Sequence, residues 1–195
     1  MQDELTAIRR HIQDSAAVKM RLLNDSVAIE NIRQIVQACI EAYKNGGKVM
    51  WCGNGGSAAD AQHMAAELVN KFYIERPGLP SMSLSSDPSI VTAIGNDYGF
   101  DQVFARQVIA QGKKGDILIG ISTSGNSKDI VNAAKVCAEK GIKTVAIVGS
   151  RKCAMDSFDY VIKVPSDVTP RIQECQTLIG HIICYMIENE FFGKK

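Results

Sequence analysis

Residues 1 to about 45 carry apolar positions at helical spacing, in two blocks. The polar run Asn24-Asp25-Ser26 separates the blocks and is typical of a helix start. Asn45-Gly46-Gly47 ends the second block with glycine, which favours a helix C-terminus. We therefore predict two helices. Their apolar positions are Leu5, Ile8, Ile12, Ala16, Met20 and Leu23, and then Ile29, Ile32, Ile35, Val36, Cys39 and Ile40.

From Lys48 onward, short apolar runs alternate with longer helical patterns. A near-continuous apolar run such as Ile117–Ile121 is typical of a strand whose two faces are both covered. The alternation predicts an α/β fold, a three-layer sandwich in which helices cover both faces of a five-stranded parallel sheet. The predicted strands are Lys48–Cys52, Ser81–Leu84, Asp116–Ile121, Thr144–Val148 and Tyr160–Val164, and the predicted helices are Ser57–Tyr73, Asp101–Ala110, Ser127–Lys140 and Arg171–Glu190.

The two N-terminal helices have no partner inside a minimal α/β unit, so their apolar faces need another surface. A second subunit is a plausible one. We predict that residues 1–195 form a single domain in which residues 1–45 serve as oligomerisation helices.

Composition and charge exclude several classes of function. The formal net charge of +1 gives no electrostatic reason to expect nucleic acid or an anionic membrane as a partner. The polar segment Met1–Arg10 does not resemble a signal peptide, and no apolar run approaches the ~20 residues of a membrane span. The six cysteines are scattered without a CxxC pair, which favours reduced thiols and a cytoplasmic location.

A glycine-rich loop follows the first predicted strand and leads into a helix. Glycine allows a tight turn and close approach of a ligand to the backbone, and a helix N-terminus attracts anions. Ser57 is expected to cap the helix. The sequence therefore predicts a phosphate-binding loop at Asn54, Gly55, Gly56 and Ser57. A dinucleotide site is disfavoured, because the acidic residue expected about 20 positions further on is absent.

A second loop, Gly120 to Ser127, also leaves a strand and enters a helix. It carries four hydroxyl side chains within six residues, those of Ser122, Thr123, Ser124 and Ser127. Neutral hydrogen bonds and the helix dipole can bind a phosphate without lysine, provided that several donors act together. The alternative is an ordinary serine- and threonine-rich turn with a helix cap.

Three further groups are candidates for chemistry. His63 and Glu67 lie four residues apart, on one face of the predicted helix after the first loop. They could be metal ligands, an acid/base pair or an ordinary surface pair. His181 lies on the last helix in a polar stripe with Gln173, Gln176, Thr177 and Gly180. It is either a hydrogen-bonded core residue or a functional residue. The segment Asn96-Asp97-Tyr98-Gly99 is predicted to be a turn, and the lone His11 is predicted to be a surface residue.

Taken together, these motifs resemble the sugar isomerase (SIS) domain family over nearly the whole chain. The resemblance is carried by the two N-terminal helices, by CGNGGSAADAQH, GNDYGF and GISTSGNS, and by the last-helix segment with its downstream histidine. The loops alone are shared by many members of the family, whereas their combination with Glu67, Gln173 and His181 is more specific. The resemblance implies a flavodoxin-like sheet and a homotetramer whose active sites lie at subunit interfaces.

The resemblance also implies an activity, the conversion of sedoheptulose 7-phosphate to D-glycero-D-manno-heptose 7-phosphate, a lipopolysaccharide precursor. Glu67 would be the base for the carbon-bound proton, and His181 the acid/base for the oxygens. A zinc ion would be bound at His63, Glu67, Gln173 and His181. The substrate-binding set would be Asn54, Gly55, Gly56, Ser57, Glu67, Asn96, Asp97, Ser122, Thr123, Ser124, Ser127 and Gln173.

The implied zinc site raises a geometric difficulty, because Gln173 and His181 are separated by about 12 Å of rise on one helix. We therefore expect the site to lie at a subunit interface, with ligands from more than one chain or with Gln173 at a distorted helix start. Two residues depart from the family pattern. Members of the family usually have histidine where Gln176 stands and arginine where Lys71 stands. A lysine can still meet a phosphate, but only as a point charge.

Two other functions remain open at this point. Some closely similar SIS proteins do not catalyse a reaction and instead form tetramers that bind the replication initiator DnaA. Such binders would not need His63, Glu67 and His181, all of which are present. The other function is isomerisation of a different sugar phosphate, since hydroxyl loops recognise phosphate better than they recognise the length of a carbon chain.

Overall fold

A computed structural model describes residues 2–193. The helices are α1 (Gln2–Leu23), α2 (Ser26–Lys44), α3 (Gly56–Val69), α4 (Pro88–Tyr98), α5 (Val103–Gln111), α6 (Lys128–Lys140) and α7 (Thr169–Phe192). The strands are β1 (Val49–Gly53), β2 (Ser81–Ser83), β3 (Ile117–Ser122), β4 (Lys143–Val148) and β5 (Tyr160–Lys163). Short 3-10 turns lie at Phe100–Gln102 and Ala154–Ser157.

The five strands form one parallel sheet in the order β2-β1-β3-β4-β5. Central strands β1 and β3 pair in the register Met50 to Leu118, and every residue of both is buried. The order of the strands reverses between β1 and β3, as in flavodoxin-like sheets, which leaves a crevice beyond the carboxyl ends of these two strands.

Helices cover both faces of the sheet because side chains on successive strand residues point to opposite faces. On β1, Val49 and Trp51 pack into a core with α2, α3 and α7. Met50 and Cys52 pack into a second core, with α5 and α6. The predicted three-layer α/β fold is therefore confirmed, together with the two N-terminal helices that precede it.

The two N-terminal helices differ in how much of their apolar surface is covered. Helix α2 buries Ile32, Ile35 and Val36 in the core that it shares with α7. Helix α1 buries Val18 and Leu22, but most of its length is exposed. Its exposed apolar side chains are Leu5, Ile8, Ile12, Met20 and Leu23.

The helix after the first loop is shorter than predicted, because α3 ends at Val69 instead of Tyr73. The backbone N–H groups of Phe72, Tyr73 and Ile74 donate to the Glu188 carboxylate on α7, so they are not available for a helix. The turn predicted at Asn96-Asp97-Tyr98-Gly99 is wrong for its first three residues, which form the last turn of α4. Within residues 2–193, no helix combines the length and the apolar character that a membrane span requires.

Candidate active site

The first loop joins β1 to α3 at the crevice, and its backbone is tightly packed. Gly55 has φ +56° and is the N-cap residue of α3, with no side-chain cap. Ser57, predicted to be the cap, is instead buried in the first turn of α3. A Cβ added to Gly53 would lie 2.5 Å from the Ser57 carbonyl oxygen, so only glycine allows this approach. The start of α3 therefore has no side chain that competes with an anion.

The second loop joins β3 to α6 and gathers the predicted hydroxyls. The Ser122 hydroxyl lies 3.1 Å from the Ser127 hydroxyl and 3.5 Å from that of Ser124. Ser127 is the N-cap residue of α6 but makes no side-chain cap bond, so its hydroxyl faces its neighbours. Thr123 and Ser124 also line a cavity of about 230 Å³ with the cationic side chains of Arg151 and Lys152.

A buried carboxylate on α6 connects the two loops. Asn54 Nδ2 donates to Asp129 Oδ2 at 2.8 Å, and Asp129 is 3% exposed. Asn54, predicted to contact substrate, is therefore oriented by α6, and the two loops are held at a fixed spacing.

Helices α3 and α7 run side by side in the same direction and carry polar residues along their contact. At its start, a Cβ added to Gly56 would lie 2.9 Å from Gln173 Nε2. Thr177 Oγ1 donates to Asp60 Oδ1 at 2.9 Å. The next contact along both helices joins His63 to His181. Successive contacts are three or four residues apart on each helix, so they follow one face of α3 and one face of α7. We call this contact, with the His63–His181 contact beyond it, the α3–α7 groove.

His63, Glu67 and His181 meet at the far end of the α3–α7 groove. His63 Nε2 lies 2.9 Å from Glu67 Oε1 and 3.4 Å from His181 Nε2. One possible ligand atom from each residue lies within 4.8 Å of the others. Two imidazole nitrogens and a carboxylate oxygen are ligands that zinc accepts, and three protein ligands leave a coordination position open.

The environment of His181 favours its neutral form. Burial lowers the pKa of His181, the nearby His63 lowers it further, and the negative charge of Glu67 opposes both. Phe72 stacks on the His181 ring, with 5.4 Å between ring centroids and an interplanar angle of 29°. A neutral imidazole can bind a metal or accept a proton.

Gln173 and the acid-bearing turn of α4 lie apart from this cluster. The Gln173 amide contacts Gly56, which precedes His63 by about 10 Å of helical rise. Helix α7 begins at Thr169, so Gln173 is not at a distorted helix start. On the exposed end of α4, Asn96 Nδ2 donates to Asp97 Oδ1 at 2.8 Å. Roles for Gln173 in metal binding and for Asn96 and Asp97 in substrate binding stay predictions.

One residue of the sequence analysis, Gln176, lies elsewhere than its pattern indicated. Gln176 does not belong to the polar stripe on α7, because its side chain is buried and donates to the Ile147 carbonyl at 2.7 Å. Lys71 pairs with Glu75. His11 is exposed, as predicted.

The sequence analysis missed the ion pair that fixes the end of α3. Arg76 Nε donates to Glu188 Oε1 at 2.8 Å, and both side chains are 1% exposed. The other Arg76 nitrogens donate to backbone carbonyls, including that of Glu67 at 2.8 Å. No sequence pattern could have found this contact, since the two residues lie 112 positions apart and meet only when α7 packs beside α3.

Comparison with known proteins identifies the family. The family model for the SIS domain matches residues 13–149. The chain is 55% identical to phosphoheptose isomerase 2 of Campylobacter jejuni over 96% of its length and 94% of that protein. It is 52% identical to the phosphoheptose isomerase of Aneurinibacillus thermoaerophilus, with 96% of both chains covered.

A solved structure agrees with these relatives. A phosphoheptose isomerase from Francisella tularensis superposes with a TM-score of 0.89 at 38% identity, covering 95% of this chain and 98% of that one. The resemblance noted in the sequence therefore holds over nearly the full length. The chain belongs to the SIS domain family and, within it, to the phosphoheptose isomerases.

Proposed function

We propose that this protein is an aldose–ketose isomerase that converts sedoheptulose 7-phosphate to D-glycero-D-manno-heptose 7-phosphate. The observation that carries the proposal is the meeting of Glu67 with His63 and His181. His63 and Glu67 lie on α3, whose N-terminus opens at the crevice between the two loops, and His181 faces them from α7. Relatives more than 50% identical are named phosphoheptose isomerases.

The reaction moves two protons and needs no external oxidant or reductant. Glu67 removes a proton from C1 of the ketose as the carbonyl oxygen on C2 gains one, which gives an enediol. The proton then returns to C2, while the hydroxyl on C1 loses its proton and becomes the aldehyde. His181 supplies the proton that O2 gains in the first step and regains a proton from O1 in the second, a task that suits an imidazole near neutral pH.

The phosphate would bind in the crevice between the two loops. The hydroxyls of Ser122, Thr123, Ser124 and Ser127 supply neutral donors. Residues 54 to 57 supply backbone N–H groups at the start of α3. The N-termini of α3 and α6 both favour a negative charge. The loops therefore hold one end of the substrate, and Glu67 and His181 act on the other.

A zinc ion fits the cluster of His63, Glu67 and His181. Because Gln173 contacts Gly56, about 10 Å of helical rise from His63, the Gln173 ligand that the family resemblance implies would come from a second subunit. Bound there, zinc would polarise the oxygens of the substrate. Treatment with a chelator should remove stoichiometric zinc and lower the melting temperature, and metal analysis with thermal unfolding checks this. A protein purified without zinc, and insensitive to the chelator, would contradict the metal site.

We propose further that the protein is a homotetramer with active sites at subunit interfaces, that it acts in the cytoplasm and that it serves lipopolysaccharide synthesis. The exposed apolar side chains of α1 support oligomerisation. All six cysteines are free, which agrees with a reducing compartment.

The test of the activity is incubation with sedoheptulose 7-phosphate while the product is followed by NMR. Glu67→Gln and His181→Gln should each lower kcat by roughly 10²-fold or more, the scale of a general acid/base contribution. Glu139→Gln, on the exposed face of α6, is the matched control and should keep full activity.

Three results would contradict the proposal. Full turnover by Glu67→Gln would remove the proposed base. A wild-type protein that leaves the heptulose unchanged but isomerises fructose 6-phosphate would show another substrate, and one that turns over neither would favour a non-catalytic role such as binding DnaA.

A further inference from the structure

The middle of the α3–α7 groove holds a carboxylate that the proposed reaction does not use. Asp60 lies on α3 between the phosphate-binding start of the helix and His63. It is half-buried, and Thr177 on α7 donates to its Oδ1 at 2.9 Å. The Gln173 carbonyl oxygen, 3.2 Å from the same hydroxyl, shares its single proton, so Thr177 is held between two acceptors.

The Asp60 carboxylate acts on neighbouring side chains through the hydrogen bond from Thr177 and through its negative charge, which opposes the lowering of the His181 pKa. Across residues 2–193, no lysine or arginine lies within ion-pair distance of it, and Thr177 is the one hydrogen-bond partner found for its side chain. Its other oxygen, Oδ2, has no hydrogen-bond partner among the described residues and is accessible to solvent. An acceptor of this kind is ready for a donor that comes from outside the chain.

The position of Asp60 matches the middle of an extended substrate. Along α3, Asp60 lies about 6 Å beyond Gly56 and about 4.5 Å before His63. A sugar phosphate whose phosphate lies at the loops and whose carbonyl lies at Glu67 must pass between them. Its middle carbons carry hydroxyl groups, which donate hydrogen bonds to a carboxylate.

We propose that Asp60, oriented by Thr177, binds the hydroxyl groups on the middle carbons of the sugar phosphate and thereby contributes to selection of the substrate. This inference rests on the proposed isomerase function. Asp60 acts as an acceptor only, and no bond to carbon forms or breaks at this residue. Thr177 is a positioning residue, because it acts through Asp60.

The test compares Asp60→Ala and Thr177→Val with wild type on sedoheptulose 7-phosphate. Asp60→Ala should lower kcat/KM by roughly 10- to 100-fold, the range for a hydrogen bond to a charged group, mainly through KM. Thr177→Val should have a smaller effect. The double variant should match Asp60→Ala, because Thr177 acts only through Asp60 and both changes affect the same interaction with the sugar. Gln62→Ala, on the exposed face of α3, should match wild type.

A binding measurement separates contact with the sugar from a general effect on the fold. Inorganic phosphate should raise the melting temperature of Asp60→Ala as much as that of wild type. Sedoheptulose 7-phosphate should give wild type an additional increase that Asp60→Ala lacks. If Asp60→Ala does not fold, Asp60→Asn, which keeps the size and one acceptor oxygen, should show the same pattern to a smaller degree.

The inference is overturned if Asp60→Ala keeps the wild-type kcat/KM, or if it loses stabilisation by phosphate and by the sugar phosphate alike. The proposed function fails separately, when the wild-type protein does not isomerise the heptulose. That result leaves the melting-temperature comparison to decide whether Asp60 contacts the sugar.

Discussion

At the scale of the residue, the candidate site depends on how closely the backbone of the first loop packs. Gly53 ends β1 directly over the first turn of α3, and the Ser57 carbonyl occupies the space that a Cβ would need. The contact brings the N-terminus of α3 up to the edge of the sheet. A phosphate at that edge then meets the backbone before it meets any side chain.

Gly53→Ala should destabilise the protein by about 1–3 kcal/mol, the usual cost of forcing an extra carbon into a packed site. It should also raise KM, because the first turn of α3 must move. Urea unfolding and steady-state kinetics measure both effects. The control is Gly95→Ala on α4, where an added Cβ meets nothing within 4 Å, and equal stability of the two variants would contradict the packing argument.

The roles of single residues are predictable from the sequence where all the residues concerned lie on one helix or strand. His63 and Glu67 are predictable as a pair, since four positions on a helix place them on one face. Asp60 is on the same helix, but its place in the groove depends on which α7 residue faces it. Gln176 was assigned to the wrong face because the pattern of α7 does not show which side packs on β4.

At the scale of the element, a buried ion pair fixes α3 against α7. Glu188 accepts from the backbone N–H groups of Phe72, Tyr73 and Ile74, and from Arg76. Arg76 in turn holds carbonyls at the end of α3. This arrangement orients Glu67 through its backbone and places Phe72 on the His181 ring.

Glu188→Gln should lower the free energy of unfolding by about 3 kcal/mol or more at pH 7, because it leaves a buried guanidinium without its counter-charge. Denaturant titration measures this loss. Glu190→Gln is the control on the same helix. Its ion pair with Lys44 is exposed, so removing it should cost less than about 1 kcal/mol, and an equal loss in both variants would contradict the role of burial.

The Glu188 contribution should also depend on pH. Burial by itself raises the pKa of Glu188, but the N–H donors and Arg76 outweigh it and hold the pKa below its usual 4.5. Because the folded protein binds this proton less tightly than the unfolded chain, the stabilisation is present above pH 4.5 and is lost as the pH falls through the lowered value. The difference between wild type and Glu188→Gln should therefore shrink below about pH 4.5. A constant difference would show that the carboxylate does not titrate as inferred.

Elements were predictable where their apolar period is strong. All five strands and the long helices were found within a few residues. Helix α4 was missed because none of its residues is fully buried, so its pattern lacks a core-facing stripe. Its start was nevertheless encoded, since Asp87 caps it and Pro88 occupies its first turn.

At the scale of the whole molecule, the fold follows from the alternation of elements, and the position of the site follows from the order of the strands. Two loops predicted separately from the sequence come together because β1 and β3 are neighbours. The sequence could not reveal the pairing of α3 with α7, since it joins residues 117 or more positions apart. How subunits assemble was likewise predicted only from the apolar faces of the two N-terminal helices and from the family resemblance.

The exposed apolar side chains of α1 should determine the oligomeric state. Leu5, Ile8 and Ile12 lie on one face of the helix and are 56–65% exposed. The double variant Ile8→Glu/Ile12→Glu should change a tetramer into smaller species, measured by light scattering after size-exclusion chromatography. Arg10→Glu, which adds an acidic group on the opposite side of the helix from this stripe, is the control. A double variant that stays tetrameric would place the interface elsewhere.

The parallel alignment of α3 and α7 has a consequence for synthesis of the protein on the ribosome. Every cross-contact between these helices waits for a segment made more than a hundred residues later. The nascent chain can pair β1, β3 and β4 before α7 has left the exit tunnel, yet the cluster of His63, Glu67 and His181 stays incomplete until His181 emerges. The proposed acid/base set is therefore completed late in folding, when the C-terminal helix docks.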